Sequence, residues 1–232
     1  MRPFHPGYIL EVLPRILPFT AVTLGIMAST VFFGGILGLL LACAKIRRGA
    51  VGRAIANVYI YVTRCVPSIV MLFIVYYGLP EFLRGIGIET DSRNHALFVI
   101  ITFSILFGAT MAEVFRSAYE SIDRGQREAG LCAGLSEFQT FRRILLPQCV
   151  VVFLPNFANA LVNLMKEGSL AYTIGLMDLM GRGQWIIGMN NGSYSLEVYL
   201  ALFLIYWALT ILIERVFGRI EAWLSRGKKI VV

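Results

Sequence analysis

Residues 128–147 read EAGLCAGLSEFQTFRRILLP, a polar stretch between two long apolar runs. Glu128 to Ala133 suits a short helix. Gly134 follows, where the backbone can turn or approach another surface closely. Leu135, Phe138 and Phe141 recur at intervals of three, which lines them along one face of a second short helix. Pro147 lies where the next apolar run begins, a position near a helix N-terminus that tolerates proline. The segment therefore predicts an amphipathic helical hairpin with apolar side chains held outside the bundle. Exposed apolar groups of this kind mark a partner's docking surface.

The rest of the chain explains where such a hairpin sits. Of the 232 residues, 57% are hydrophobic and only 15% charged, whereas soluble domains carry about 25% charge. Several apolar runs approach the roughly 20 residues needed to cross a bilayer. They predict an all-α integral membrane protein, one transmembrane domain over 1–232, with spans at 19–43, 55–79, 96–115, 148–165 and 196–213. Residues 8–17 form a mildly amphipathic stretch closed by Pro18, suited to the membrane surface. The leader carries Pro3, Pro6, Pro14 and Pro18 and no small-residue cleavage pattern, so the first span is expected to stay as an anchor. That span is rich in small residues (Gly25, Gly34, Gly35, Gly38) that let helix backbones approach. The second contains Arg64 and Pro67, which predicts a kink. Residues 166–194 read as a glycine-rich connection with a short helix or re-entrant piece.

The formal charge of +7 raises the question of nucleic acid, but in a membrane chain it reads as basic cytoplasmic loops. The first loop, the segment 116–143 and the tail from 214 hold 14 of the 21 Lys and Arg residues, against six on the other side and Arg64 within a span. The positive-inside rule then puts the N-terminus outside, the C-terminus in the cytoplasm, and the hairpin on the cytoplasmic side. Cys43, Cys65, Cys132 and Cys149 lie among apolar residues with no CxxC or Cys/His spacing, so no metal site is expected. No phosphate-cradling GxxxxGK[ST] loop occurs, so energy for any pumping comes from a partner.

The cytoplasmic hairpin resembles the loop of ABC importer permeases, written E-A-A-x3-G-x9-I-x-L-P. Glu128, Ala129, Gly134, Ile144, Leu146 and Pro147 fit that pattern, and Gly130 stands where it has alanine. Such a glycine costs a helix about 1 kcal/mol. Further motifs are similar to the polar amino-acid branch of the family (the histidine, glutamine and cystine type): Ala112 to Arg116, Ser121-Ile122, Gly125-Gln126, Arg64 with Pro67, Tyr77 to Pro80, Leu146 to Gln148, and Lys166, Ser169 and Leu170. The resemblance implies a type I importer fold with five spans and a coupling loop at 116–147. It implies two cytoplasmic ATPase subunits, which hold the ATP and Mg, a second permease subunit (a copy or a relative) and an extracytoplasmic substrate-binding protein. It also implies a bacterial inner-membrane location, and Glu128 to Gly134 as the docking helix. The chain itself then has no catalytic residue and no cofactor, and only amino acid, lipid and protein as partners.

The fourth span is the polar one. Asn156, Asn163 and Glu167 share a helical face, with Asn159 at its edge. Polar groups within a membrane face a bundle interior or a wet cavity, and Pro155 loosens the backbone beside them. A zwitterionic amino acid needs an acceptor for its ammonium, such as Glu167, and donors for its carboxylate, such as the asparagine amides. The same face equally suits hydrogen bonds between permease subunits. Met71, one turn beyond Pro67, puts an apolar side chain where this branch often has glutamine. Glu113 and Arg116 have the spacing of a structural helix pair, and Arg64 either snorkels to headgroups or pairs within the bundle. An ion-coupled secondary carrier is the competing reading, but such carriers usually rest on internal repeats and buried ionisable relays, and neither is evident. Within the importer reading, a sulfur-containing amino acid or an opine is an alternative solute.

Overall fold

The computed structural model describes residues 4–46, 49–89 and 94–225. Of the basic positions expected on the cytoplasmic side, Arg47, Arg48, Arg226, Lys228 and Lys229 lie outside the described residues, as do Arg2 and Arg93, expected on the opposite side. The described residues are helical with no strand, and five helices or helix runs are long and apolar enough to cross a membrane.

Helix α1 (Gly7–Ile16) runs through a 3-10 turn, Leu17–Phe19, into α2 (Thr20–Ile46). Pro18 falls in the first turn of that short element, where a missing N–H costs little, so the helical path continues. The amphipathic face of α1 is covered by protein: Val12 and Ile16 are fully buried in a cluster with Leu179, Ile186, Val198 and Leu202.

The expected second span is divided. Helix α3 (Ala50–Cys65) ends, and α4 (Ser68–Phe73) begins after two extended residues. Pro67 is the cause, because its ring disfavours helical geometry at the preceding residue, and Val66 has ψ 127°. A π turn, Ile74–Gly78, leads from α4 into α5 (Leu79–Gly85). A second π turn, Phe141–Leu145, precedes α9 (Leu146–Gly168). Each lies just before a proline, Pro80 or Pro147. A proline removes one helical hydrogen bond and crowds the carbonyl four residues back, here that of Tyr76 or Arg143, and the wider turn absorbs the misfit.

Helix α6 (His95–Glu120) is the centre of the bundle. Its 26 residues extend about 39 Å, beyond the roughly 30 Å hydrocarbon core. Phe98, Phe103 and Met111 on it are essentially inaccessible and pack with Leu72, Leu161 and Leu164. Its contact with α2 is close because side chains are missing there. A Cβ at Gly38 would lie 2.5 Å from Met111 Cβ, and one at Gly34 would lie 3.0 Å from the Ser104 carbonyl oxygen. Gly25 and Gly35 have open space instead, so two of the four glycines in this span do the packing.

Helices α7 (Arg124–Cys132) and α8 (Glu137–Thr140) form the polar segment before α9. After α9 a 3-10 turn, Ser169–Ile174, and a left-handed Gly175 lead to α10 (Leu179–Met189), then α11 (Ser195–Ser225). The glycine-rich connection thus contains a short helix, one of the two forms expected of it.

Candidate functional site

The hairpin is built from local sequence rules. The Asp123 carboxylate accepts from the Gly125 N–H at 2.8 Å and caps α7. At the other end the Leu135 N–H donates to the Gly130 carbonyl (3.1 Å) and the Gly134 N–H to the Leu131 carbonyl (3.0 Å). That pair of bonds is a Schellman closure, and it needs a left-handed residue; Gly134 supplies it at φ +81°. Ser136 and Gln139 form a reciprocal capping box on α8. Arg127 is ion-paired with Glu137, its Nε donating at 3.1 Å, which ties α7 to α8.

The other loop residues divide into inner and outer sets. Glu128, Ala129 and Gly134 are exposed, and so is Leu146. Ile144 and Pro147 are half-buried where the hairpin joins α9. Phe138 stands 69% exposed, whereas Phe141 is partly covered by Tyr119, with ring centroids 6.5 Å apart. Leu135 precedes α8 rather than belonging to it, because the capping box starts the helix after Ser136. Gly130 is buried, and a Cβ there would lie 2.6 Å from Thr140 Cγ2, 2.9 Å from Thr140 Oγ1 and 3.0 Å from Ile144 Cδ1. The glycine that departs from the motif is therefore a contact point: Thr140, itself fully buried, occupies the space an alanine methyl would take.

Beside the hairpin lies an open cleft of about 1020 Å³, lined by Lys45, Arg53, Arg116, Arg124, Arg127 and Glu128 among others. Glu113 joins its walls. Its carboxylate accepts from Lys45 Nζ at 2.5 Å and from Arg116 at 2.6 and 3.0 Å, and Arg116 also pairs with Glu120. The Glu113–Arg116 pair is thus part of a network that fixes the end of α2 to the end of α6. Lys45 is its third member, which helix spacing alone could not reveal because it lies 68 residues from Glu113.

The expected polar residues run along the second half of α9. Asn156, Asn159, Asn163 and Glu167 are all exposed along one stripe of the isolated chain. Pro155 cannot donate to the Val151 carbonyl, and Asn156 Nδ2 donates to the next one, that of Val152, at 3.0 Å. The Glu167 carboxylate accepts from the Ser68 hydroxyl at 2.9 Å. Ser68 opens α4 just after the Pro67 break, and half-buried Met71 is one turn further on. The structure so joins Ser68 and Glu167 from two helices, with Met71 on the same helix as Ser68. Sequence reading missed Ser68, whose signal was a hydroxyl directly after the proline that interrupts the span. Arg64 is exposed in the last turn of α3, where its charge complements the helix C-terminus.

Helices of this length and order, with a capped polar hairpin feeding a polar span, fit the membrane subunit of an importer. The family model for binding-protein-dependent transport system inner membrane components matches residues 34–226, and the chain belongs to that family. It is 38% identical over 231 residues to the L-cystine transport system permease protein TcyL of Bacillus subtilis, covering 100% of this chain and 96% of that one. It is 34% identical to the probable amino-acid ABC transporter permease protein PatM of Vibrio harveyi, covering 97% and 98%. Among solved structures, an amino acid ABC transporter crystallised with histidines matches with a TM-score of 0.81 at 23% identity, over 95% of this chain and 99% of that one. The fold is that of a type I ABC importer permease.

Proposed function

We propose that the chain carries a polar amino acid across the bacterial inner membrane, driven by two partner ATPases that dock on the 128–147 hairpin. The observation that supports this best is the continuity of the two sites. The hairpin passes through Pro147 straight into α9, and α9 carries the Asn156, Asn159, Asn163 and Glu167 stripe to its far end. Glu167 accepts the substrate ammonium, with Ser68 holding its carboxylate until the ligand arrives. The asparagine amides donate to the substrate carboxylate. A second permease subunit covers the exposed stripe, an extracytoplasmic binding protein delivers the solute, and ATP with Mg resides in the ATPases. The N-terminus lies outside and the C-terminus inside, in keeping with the charge distribution. A sulfur-containing amino acid is favoured within this class by the whole-length similarity to an L-cystine permease and by the soft, apolar Met71 beside Ser68.

The test is a gentle detergent pull-down from the native membrane with mass spectrometry. Recovery of a P-loop ATPase and a second permease copy or relative is expected. A chain recovered alone, repeatedly and still folded, would overturn the importer reading in favour of a self-sufficient carrier.

A further inference from the structure

A second polar centre lies away from both sites, where α2, α6 and α9 meet the turn before α10. A narrow cavity of about 20 Å³ is lined by Thr23, Thr30 and Asp178, with Phe103, Met165 and Gly168 among its other walls. Asp178 is 2% exposed and caps α10, its carboxylate accepting from the Gly181 N–H at 2.8 Å. Thr23 Oγ1 accepts from the Leu179 N–H at 3.2 Å. Thr30 is fully buried, yet its hydroxyl has no partner among the described residues. Most helical hydroxyls in this bundle settle that need on their own helix. Ser29, Thr63, Thr102 and Thr210 each donate to the carbonyl four residues back, at 2.7 to 2.9 Å. Thr30 does not, and it lines the cavity instead.

A buried hydroxyl without a partner is costly, and native proteins resolve nearly all such groups with protein or ordered water. The cavity volume fits one water, which needs roughly 10–15 Å³ and two to four polar partners. The oxygens available are too few for a hard cation, which takes six or more. We propose that this cavity is a one-water site, in which the water accepts from Thr30 and donates to the Asp178 carboxylate. The water links α2 to the start of α10 and gives the buried carboxylate a second donor from the α2 side, beside the Thr23 hydroxyl. Thr23, already bonded to Leu179, is the third oxygen within the site.

Thr30→Val tests this, because it removes the hydroxyl while keeping the shape. If the hydroxyl is simply unpaired, the change relieves a buried polar group and the melting temperature holds or rises. If it anchors a water, Asp178 loses a donor, and the assembled transporter in lipid nanodiscs melts about 2–8 °C lower. Cryo-electron microscopy of the unaltered complex supplies the second measurement. A density peak within hydrogen-bond distance of both Thr30 Oγ1 and an Asp178 oxygen is expected. An unchanged or higher melting temperature in the variant, or well-ordered Thr30 and Asp178 side chains with no peak between them, would each overturn the proposal.

Discussion

Restoring the family pattern at one position should damage this protein. Gly130→Ala makes the hairpin read E-A-A, and by helix propensity alone it should add about 1 kcal/mol of stability. The structure predicts the opposite sign. The new methyl would meet Thr140 Cγ2 at 2.6 Å, far inside the roughly 3.5 Å of an unstrained carbon contact. Thr140 cannot yield cheaply, because a β-branched side chain in a helix has restricted χ1 choices and this one is fully buried. Overpacking of this kind costs about 1–3 kcal/mol, so the net effect is a loss of up to about 2 kcal/mol. Thr140→Ala removes the two closest crowding atoms and leaves only the flexible tip of Ile144, Cδ1 at 3.0 Å. It forfeits a methyl but no hydrogen bond, since Thr140 Oγ1 has no partner among the described residues. The double variant should therefore be more stable than the sum of the single effects by about 1–3 kcal/mol. Hydrogen exchange of peptides covering 124–135 reads the effect where it arises, at the Gly134 and Leu135 amides that close the Schellman turn. Faster exchange in Gly130→Ala, restored in the double variant, is the expected result. Slower exchange in the single variant, with no coupling to Thr140, would refute the packing argument.

Three further perturbations address the other sites. Glu128→Lys should leave the chain inserted and folded, because Glu128 is exposed, while abolishing substrate-stimulated ATP hydrolysis; normal uptake and ATPase rates would remove Glu128 from docking. Glu167→Gln should reduce uptake of a zwitterionic amino acid at limiting concentration without reducing recovery of the complex, and equal uptake would take Glu167 out of the substrate path. Burial pushes the Asp178 carboxyl from the ordinary 3.8 up to about 6, against the opposing help of its hydrogen bonds. The folded chain then holds this proton where the unfolded chain releases it. The contribution to stability therefore falls as pH rises from about 4 to about 6, by on the order of 3 kcal/mol. Asn caps a helix as well as Asp does, so the melting temperature of Asp178→Asn relative to the parent should climb across that window and level off above it; a difference independent of pH would refute the linkage.

What could be read from the sequence follows physical range. The apolar runs and the hairpin were legible because bilayer thickness and helix caps act on neighbouring residues. Gly134 is a clear case, since a left-handed closure leaves a local signature. Pro67 announced a break in the second span, but that Ser68 would then face Glu167, 99 residues away, depends on how α4 packs against α6 and the turn that follows α9. Gly130 shows the same limit from the other side. As a sequence departure it looked like lost helix propensity, and only the position of Thr140 reveals it as a fitted contact. The covered face of α1 was hidden for a similar reason: an amphipathic stretch has the same periodicity whether lipid or α11 lies against it. Asp178 was passed over because one carboxylate in a glycine-rich connection carries no spacing signal, and its significance comes from burial against Thr23 of a distant helix.

These contacts bear on how the proposed docking could reach the proposed substrate face. Helix α9 has 23 residues and so extends about 34 Å, from the hairpin to Glu167. A continuous helix transmits rotation and tilt with little loss, whereas a chain of side-chain contacts must be bistable to do so. The two places where α9 is weakened are therefore the places where motion would be partitioned. One is the π turn Phe141–Leu145 at its base, where proline has already displaced the hydrogen-bond register. The other is Pro155, which leaves the Val151 carbonyl without its usual donor. Below Pro155, buried Val151 and Leu154 engage the bundle; beyond it, exposed Asn159, Asn163 and Glu167 face outward while Leu161 and Leu164 hold the core. Tilting the lower half about Pro155 would move the hairpin without dislodging that core. Moving the upper half would draw Glu167 from Ser68 and free its carboxylate for an ammonium group. On this geometry the Ser68–Glu167 bond is a contact that such a movement of the upper half would break.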